Sequence, residues 1–425
     1  AGMYCGSCMR DNTLAKALCK QGADARLIPT YTPIRTDEED VSVDQVFFGG
    51  INIFLQEKIP LFRWLPKSLD RILDRPGFIR WATKNATSTD AKKLGGLTVS
   101  MLKGAAGHQR KEVLRLCEWL TDSFQPDVIN FSNALIAGCV PELRKQTNAP
   151  IFVTLQGDDI FLEELSDDYR KAAIKEIQRL DQFIDGYITF SNYYAEFMSE
   201  YLGIERTKIS LTPLGIDVTP FSATDHKTQS RDDDELTIAY MARVAPEKGL
   251  HLLVDAFILL HQQHGLTNVK LATAGWMGEH RRSYFDEQLA KLAAAGLSER
   301  HTYHGELDRT EKAKFLANAD IFSVPTTYRE PKGIFVLEAI ASGTPVVQPD
   351  HGAFPELLSS TRGGLYCEPN HAESLASVMA NLARSPEMRD RLASDGHRNI
   401  HAKHTDETMA SATLKLFSDA CNKST

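Results

Sequence analysis

The chain has 425 residues, which is enough for two or three domains that each bury a core of their own. Apolar residues make up 42% of the sequence and charged residues 24%, as in ordinary folded globular proteins. The formal charge of −8 argues against a dedicated nucleic-acid-binding protein, and no apolar run reaches the roughly 18 residues of a membrane-spanning helix.

The N-terminal residues and the cysteines bear on location. The first ten residues, AGMYCGSCMR, contain neither the basic head nor the apolar stretch of a secretory signal. The seven cysteines form an odd, scattered set, which favours free thiols in a reducing compartment. Cys5 and Cys8 are spaced as C-x-x-C, but no second pair lies nearby to complete a zinc site. We therefore expect a cytoplasmic protein without a metal ion or other cofactor.

Short β-branched runs alternate with amphipathic stretches along the chain, a pattern typical of α/β folds with parallel sheets. The first block opens on a loop at Gly6 and a helix over about residues 10–20 rather than on a strand, so we expect further residues before Ala1. Candidate strands include residues 127–130, 150–155, 186–191, 208–213, 236–241, 269–275 and 320–325, and candidate helices include residues 109–122, 165–182, 248–263, 283–295 and 371–384.

Residues 58–115 form a basic, aromatic insert in an otherwise acidic protein. Lysine and arginine number thirteen there against four aspartates and glutamates, and Trp64 and Trp81 are interleaved with the charges. Such a surface can lie on an anionic membrane or hold an anionic acceptor. A helical subdomain with solvated charges explains the same pattern, so peripheral contact with the inner membrane face stays one of two interpretations.

A polar loop in the first block reads Gln156-Gly157-Asp158-Asp159. It follows the predicted strand over residues 150–155. Asp158 and Asp159 are candidate groups on the acceptor side, or capping residues of the next helix.

A turn-rich, polar segment at residues 214–235 separates two α/β blocks of similar size. We therefore predict two doubly wound, Rossmann-like domains, residues 1–214 and 215–405, that face each other across a cleft. The acidic run at residues 232–234 lies in the separating segment and is expected to be a solvated loop rather than a metal site.

Two basic residues flank the first strand-to-helix loop of the second block. Arg243 ends the strand, and Lys248 precedes a predicted helix. A guanidinium and an ammonium there can neutralise a departing diphosphate in the transition state without a metal. The alternative is an ordinary surface pair at a helix start.

The most informative segment, residues 330–347, reads EPKGIFVLEAIASGTPVV. Pro331 and Gly333 disfavour a helix, whereas residues 334–342 favour one that Gly343 can end. Free N–H groups at the start of that helix, together with its dipole, attract a phosphate or pyrophosphate.

The two glutamates of this segment suit hydroxyl groups beside such an anion. Glu330 would accept hydrogen bonds from a sugar ring, and Glu338 from a ribose. The donors of the helix start would be the backbone N–H groups of Gly333, Ile334 and Phe335. The spacing of the glutamates alone is a weak signal, and an ordinary strand-to-helix loop is the alternative; the surrounding residues strengthen it.

Together these motifs resemble glycosyltransferase family 4, a family of retaining enzymes with the GT-B fold that includes glycogen synthases and mannosyltransferases. The resemblance also takes in Gly305-Glu306-Leu307 and the loop at Gly6; it covers nearly the whole chain and is strongest over residues 236–370. It implies that Glu306 and Leu307 lie beside the nucleotide base and Gly6 near the phosphates or the acceptor.

The resemblance implies a role for each motif of the second domain as well. Arg243 and Lys248 would bind the donor diphosphate, and Glu338 the ribose. Glu330 and the backbone of residues 333–335 would contact the transferred sugar. The final helix, about residues 406–425, would pack back onto the first domain.

Gln156 departs from the family pattern, since members commonly carry a histidine at this position. A glutamine can donate a hydrogen bond to a sugar hydroxyl but cannot serve as a general base. The departure favours a front-face displacement in which the leaving phosphate oxygen accepts the proton of the acceptor.

We therefore expect a metal-independent, retaining hexosyltransferase that uses a nucleotide-diphosphate sugar and the hydroxyl of a carbohydrate or lipid-linked acceptor. One alternative is an epimerase or phosphorylase of the same fold, for which no signature is present. The other is a nucleotide-sugar binder without turnover, which Gln156 favours.

Overall fold

The computed structural model describes residues 6–30, 36–43, 94–221 and 235–424. The chain divides into two compact units: unit 1 contains residues 1–212 and 410–425, and unit 2 contains residues 213–409. Most of the basic insert, residues 58–93, lies outside the described residues, as does the acidic run at 232–234. Among the helices that the structure describes, none combines the length and apolarity needed to cross a membrane.

Unit 1 is built around a parallel sheet whose described strands were all expected from their apolar pattern. The order is β1-β2-β3-β4, so each strand pairs with the next one along the chain. β2 and β3 are buried along their whole length, as expected for strands covered on both faces. The strands are Ile129–Phe131 (β1), Ile151–Thr154 (β2), Gly186–Thr189 (β3) and Ile209–Leu211 (β4).

The helices of unit 1 include the two predicted at 109–122 and 165–182. The first helix begins at Gly6, several residues before the expected position. Leu116 and Ile177, from the two predicted helices, and Met198, from the helix after β3, pack with Tyr187 of β3 in one buried core. The helices are Gly6–Lys20 (α1), Gly95–Leu102 (α2), Arg110–Trp119 (α3), Val140–Leu143 (α4), Asp158–Glu163 (α5), Asp167–Asp181 (α6) and Asn192–Leu202 (α7).

Unit 2 contains a parallel sheet in the order β10-β9-β8-β5-β6-β7. The chain starts in the middle with β5, adds β6 and β7 on one side, and then returns to add β8 to β10 on the other. Such a sheet has a switch point between β5 and β8, where α/β folds bind ligands at the carboxyl ends of the strands. The strands are Leu236–Met241 (β5), Val269–Ala274 (β6), His301–Tyr303 (β7), Ile321–Phe322 (β8), Val346–Pro349 (β9) and Gly364–Cys367 (β10).

Three of these strands were not among the candidates, and each lacks the expected apolar run. β7 reads HTY and is only partly buried at one edge of the sheet, and β10 reads GLYC at the other edge. β9 is fully buried but ends in Gln348 and Pro349. Edge position and polar or proline residues both weaken the periodicity on which sequence-based prediction depends.

The helices of unit 2 cover its sheet, and the last helix of the chain leaves it. That helix begins in unit 2 and belongs to unit 1 from residue 410, where Phe417 packs against Phe152 with the ring centroids 5.3 Å apart. The helices are Leu250–Gln262 (α8), Arg282–Ala294 (α9), Arg309–Ala317 (α10), Ile334–Ala341 (α11), Phe354–Thr361 (α12), Ala372–Ala383 (α13), Pro386–Lys403 (α14) and Asp406–Ser424 (α15).

Candidate functional site

The loops after β5 and β8 meet at the switch point of unit 2. Gly249 has a φ of 73°, and a β-carbon there would lie 1.8 Å from the carbonyl oxygen of Pro325, so only glycine allows this approach. The same two loops are also joined by a hydrogen bond: the backbone N–H of Thr327, after β8, donates to the carbonyl oxygen of Glu247, after β5, over 3.0 Å. These contacts bring Lys248, at the end of the first loop, beside the residues that precede α11.

Lys248 and Glu330 form a buried ion pair at this point. The ammonium Nζ lies 2.9 Å from Glu330 Oε2, and the side chains are only 15% and 6% exposed. Lys248 also donates a hydrogen bond to the hydroxyl of Tyr328, which in turn donates to the same Oε2 of Glu330. The ammonium lies 4.9 Å from the ring centre of Tyr328 and 5.2 Å from that of Phe335, within cation–π range.

The other oxygen of Glu330 faces the start of α11. Oε1 accepts from the backbone N–H groups of Lys332 and Gly333, both at 3.3 Å. Burial by itself would raise the pKa of the Glu330 carboxyl, but the charge of Lys248 and the hydrogen bonds from Tyr328 and Lys248 outweigh it. The pKa therefore lies below its ordinary value, and Glu330 is a carboxylate at neutral pH.

The loop after β9 holds the backbone of Glu330 in place. The N–H of Ala353 donates to the carbonyl oxygen of Glu330 over 2.8 Å. Gly352 has a φ of 63°, and a β-carbon there would lie 2.7 Å from the backbone nitrogen and oxygen of Glu330. Glu330 is thus fixed by the loops after three strands: β5, β8 and β9.

Arg243 belongs to a second charged group at the same edge. Its Nη2 lies 2.9 Å from Glu247 Oε1, and Nη2 of Arg281 lies 3.9 Å from Glu247 Oε2. Arg243 is 40% exposed, in contrast to the buried Lys248. Arg281 was not predicted for the site, because nothing in its own loop marks it before the fold places it beside Glu247.

Glu338 is paired with a lysine that sequence reasoning missed. Nζ of Lys312 in α10 lies 2.6 Å from Glu338 Oε1 in α11, and both side chains are less than 10% exposed. Glu338 therefore occupies a separate ion pair from Glu330, as its position one and a half turns into the helix requires. The motif shows no lysine at a fixed spacing, so only the packing of α10 on α11 could reveal the pair.

Glu306 and Leu307 follow β7, away from the Glu330 group along the sheet. Glu306 is exposed and Leu307 is half-buried. Leu307 lines a cavity of about 470 Å³ along β5, β6, β7 and α10, and neither Lys248 nor Glu330 is among the residues that line it. The two residues therefore stay predictions for the nucleotide base.

In unit 1, Gln156 belongs to a buried polar cluster at the end of β2. Its Nε2 donates to the carbonyl oxygen of Ser132 over 2.8 Å and to Asp11 Oδ2 over 3.2 Å. Asp11 also accepts from Arg10 Nη1 over 2.9 Å, and the guanidinium of Arg10 lies 4.7 Å from the ring centre of Phe190. Sequence reasoning missed Arg10 and Asp11, which lie in α1, and it placed Gly6, the exposed first residue of that helix, near a ligand.

Asp158 and Asp159 are the first two residues of α5, whose N-cap is Gly157 rather than either aspartate, and both are bonded to groups of unit 1. Asp158 accepts from the backbone N–H groups of Ala134 (2.6 Å) and Gln156 (3.1 Å), and burial raises its pKa to about 6. Asp159 accepts from the hydroxyl of Tyr194, which accepts from the N–H of Gly157, and burial raises the pKa of Asp159 as well. These contacts tie the loop to its own unit, and a role toward an acceptor stays a prediction.

Potential metal ligands among the described residues are scattered rather than grouped. Within the part of the chain that the structure describes, no three or more His, Cys, Asp and Glu side chains come together so that they could hold a metal ion.

The sequence is similar to those of known glycosyltransferases. The family model of glycosyl transferases group 1 matches residues 221–398, within unit 2. Glycogen synthase from Mycobacterium tuberculosis is 25% identical over 325 residues, which are 74% of this chain and 74% of that protein. The matches support a glycosyltransferase.

Solved structures show the fold. Sucrose-phosphate synthase from Thermosynechococcus elongatus is similar with a TM-score of 0.70 at 17% identity, over 96% of this chain and 92% of that chain. The Anabaena protein HepE, solved in complex with UDP, is similar with a TM-score of 0.63 at 18% identity, over 74% of this chain and 84% of that chain. The prediction of two Rossmann-like α/β domains of the GT-B class is confirmed.

Proposed function

We propose that the chain is a retaining glycosyltransferase of family 4 that moves a hexose-type sugar from a nucleotide-diphosphate donor to a hydroxyl of a carbohydrate or lipid-linked acceptor, without a metal. The observation that carries the proposal is the buried contact of Lys248 with Glu330, at the switch point and at the start of α11. A cation, a carboxylate and a helix N-terminus then share the place where α/β sheets bind ligands.

The donor diphosphate would lie against Lys248 and Arg243. Lys248 is kept at this edge of the sheet by Glu330 and by two aromatic rings, so its charge is close to the diphosphate position and only the side chain has to turn when the donor binds. Preorganised positive charge stabilises the negative charge that develops on a leaving diphosphate, which is how a metal-free site would lower the barrier. Arg243, more exposed, would add a second donor at the same edge.

The two glutamates would accept hydrogen bonds from neutral hydroxyl groups. Glu330 stays ionised because Lys248 and Tyr328 favour its charged form, and a carboxylate accepts from a sugar hydroxyl. Glu338, with Lys312 as its counter-ion, would do the same for the ribose. Each glutamate is thus buried beside a lysine, at 2.9 Å for Glu330 and 2.6 Å for Glu338.

Gln156 bears on how the proton leaves the acceptor. Its side-chain amide nitrogen donates to Ser132 and Asp11, and an amide has no basic nitrogen to offer. We infer a front-face displacement: the acceptor oxygen bonds to the anomeric carbon as the bond from that carbon to the phosphate oxygen breaks. The acceptor proton passes to that phosphate oxygen. The products are a nucleoside diphosphate and a glycoside whose new bond lies on the same face of the sugar as the bond that broke.

The test is nucleotide release from a panel of UDP-, GDP- and ADP-linked hexoses, with and without sugar and lipid-linked acceptors. We expect release that depends on an acceptor, that EDTA does not reduce, and that yields a product with the donor's anomeric configuration by NMR. Release that never depends on an acceptor contradicts transfer, and binding without release supports the alternative of a nucleotide-sugar binder. An inverted product overturns the retaining mechanism.

A further inference from the structure

The side chain of Tyr328 is hydrogen-bonded to both members of the Lys248–Glu330 pair. Its hydroxyl donates to Glu330 Oε2 and accepts from the ammonium of Lys248. Its ring also lies 4.9 Å from that ammonium. The motif of the two glutamates does not include this residue, which lies two positions before Glu330.

The pair alone leaves a difficulty for ligand binding. If Lys248 turns toward a diphosphate, Oε2 of Glu330 loses its ionic partner, and a buried acceptor without a donor is costly. The backbone N–H groups of Lys332 and Gly333 cannot replace it, because they lie 3.3 Å from the other oxygen, Oε1. The phenol of Tyr328 donates to the same Oε2, and this bond does not depend on the position of the ammonium.

We propose that Tyr328 is a positioning residue of the donor site, whose hydroxyl keeps Glu330 bonded and in place while Lys248 turns to a diphosphate. The inference rests on the proposed function, in which Lys248 binds the donor diphosphate. Tyr328 itself contacts neither sugar nor phosphate; it acts through Glu330 and Lys248.

The chemistry of the phenol supports this role. Burial raises the pKa of Tyr328 well above its ordinary value, and the charge of Glu330 raises it further, while Arg243 acts in the opposite direction. The hydroxyl therefore keeps its proton at any working pH and stays a donor to the carboxylate. The ring makes its own contact with Lys248, so replacing tyrosine by phenylalanine removes the hydroxyl and leaves the packing.

The experiment compares Tyr328→Phe with the wild type in calorimetric titrations of UDP, GDP and ADP. Without the phenol, Lys248 is the only side chain on Oε2 and is less available, so affinity for the nucleotide that binds best should fall about tenfold, the size expected for one hydrogen bond to a charged group. In assays of transfer, KM for the nucleotide sugar should rise more than kcat falls. Tyr366→Phe is the matched control, since its hydroxyl donates to the Pro355 carbonyl oxygen at the surface of the same unit.

A double-mutant cycle with Glu330→Gln separates positioning from a general effect on structure. In the Glu330→Gln background the carboxylate that the phenol positions is gone, so Tyr328→Phe should change whatever nucleotide affinity that variant has by less than about twofold. Equal losses in both backgrounds overturn the proposal, as does an unchanged affinity of Tyr328→Phe in the wild-type background. If none of the three nucleotides binds the wild type, the donor site itself is wrong, and this inference is overturned with it.

Discussion

Each unit places a buried carboxylate near the carboxyl ends of a parallel sheet, and the two acids differ in their partners. Glu330 in unit 2 bonds to the ammonium of Lys248, and its pKa lies below the ordinary value even though burial acts in the opposite direction. Asp158 in unit 1 accepts from the backbone N–H groups of Ala134 and Gln156, and burial raises its pKa to about 6. Backbone hydrogen bonds do not offset desolvation at Asp158, whereas the charge of Lys248 together with the hydrogen bonds from Tyr328 and Lys248 offsets it at Glu330.

The difference separates two tasks. A carboxylate that stays charged beside a cation can accept hydrogen bonds from a ligand, which suits a site for a sugar and a diphosphate. A carboxylate whose oxygens both face backbone N–H groups fixes a loop, and here it holds the turn after β2 against residue 134. On this comparison we expect Glu330 to bind a ligand and Asp158 to support the structure around it.

Replacing Lys248 by methionine should have the largest effect, because it removes the cation on which the contrast depends. Glu330 would then resemble Asp158, with burial no longer outweighed by a paired charge. We expect kcat/KM to fall on the order of 100-fold, the loss typical when a group that stabilises developing charge is removed. The measurement is steady-state kinetics with the best nucleotide sugar from the panel.

Lys270→Met is the control for this variant. Lys270 lies in the same unit, is 47% exposed and pairs with Glu235 at the start of β5. It should keep its activity within about twofold, as expected for an exposed ion pair. Equal losses in both variants would mean that charge in general, rather than the buried pair, is what activity needs.

The sequence predicted only some of the residues that make Glu330 differ from Asp158. Glu330, Lys248 and the helix start could be predicted because the residues next to them in the sequence indicate the local structure. At Glu330, for example, a proline, a glycine and an apolar run follow the glutamate and predict a loop that leads into a helix. Lys312 and Tyr328 could not, because their roles arise from contacts across the fold. Lys312 reaches Glu338 from another helix, 26 residues earlier in the chain.

Asp158→Asn should change how stability depends on pH. An unfolded aspartate has a pKa of about 3.9. Because the folded value is about 6, folding favours the protonated form, and the free energy of unfolding contributed by this group falls as pH rises from about 4 to about 6. The asparagine variant should lose that decline, a difference of roughly 2 kcal/mol between about pH 4 and about pH 7.

Chemical denaturation at a series of pH values measures this difference. Asp167→Asn, at the start of α6 on the surface of the same unit, is the control and should follow the wild type. A variant at position 158 with an unchanged pH profile would show that the buried carboxyl is no less ionised than Glu330, and the comparison between the units would then fail.

The strands of unit 2 also differed in how well the sequence predicted them. β5 and β6 were predicted with nearly their observed bounds, because each is six residues long, mostly apolar and paired on both sides within the unit 2 sheet. β7 and β10 lie at its edges, where one side of each strand has no partner in the described sheet and the side chains need not be apolar. Sequence patterns therefore located the middle of this sheet, which carries the switch point, better than its margins.

Gln156→Ala should have the smallest effect, and it should reduce sugar transfer without reducing nucleotide binding. Gln156 lies in unit 1, in a cluster with Asp11 and Ser132, whereas Lys248 and Glu330 lie in unit 2. Affinity for the nucleoside diphosphate should stay within about twofold of the wild type, while kcat falls roughly fivefold to tenfold, as for the loss of one neutral hydrogen bond from a buried polar cluster. Calorimetric titration and steady-state kinetics on the same preparation measure the two effects.

Gln182→Ala, which removes an exposed amide bonded to the Arg179 carbonyl oxygen, is the control for this variant. Full activity of the position 156 variant would remove Gln156 from the site. A parallel loss of nucleotide affinity would instead place it on the donor side, and the assignment of donor and acceptor to the two units would then be wrong. A loss in kcat alone supports an acceptor-side amide that orients a hydroxyl and leaves proton removal to the departing phosphate, because alanine then removes an orienting group and no base.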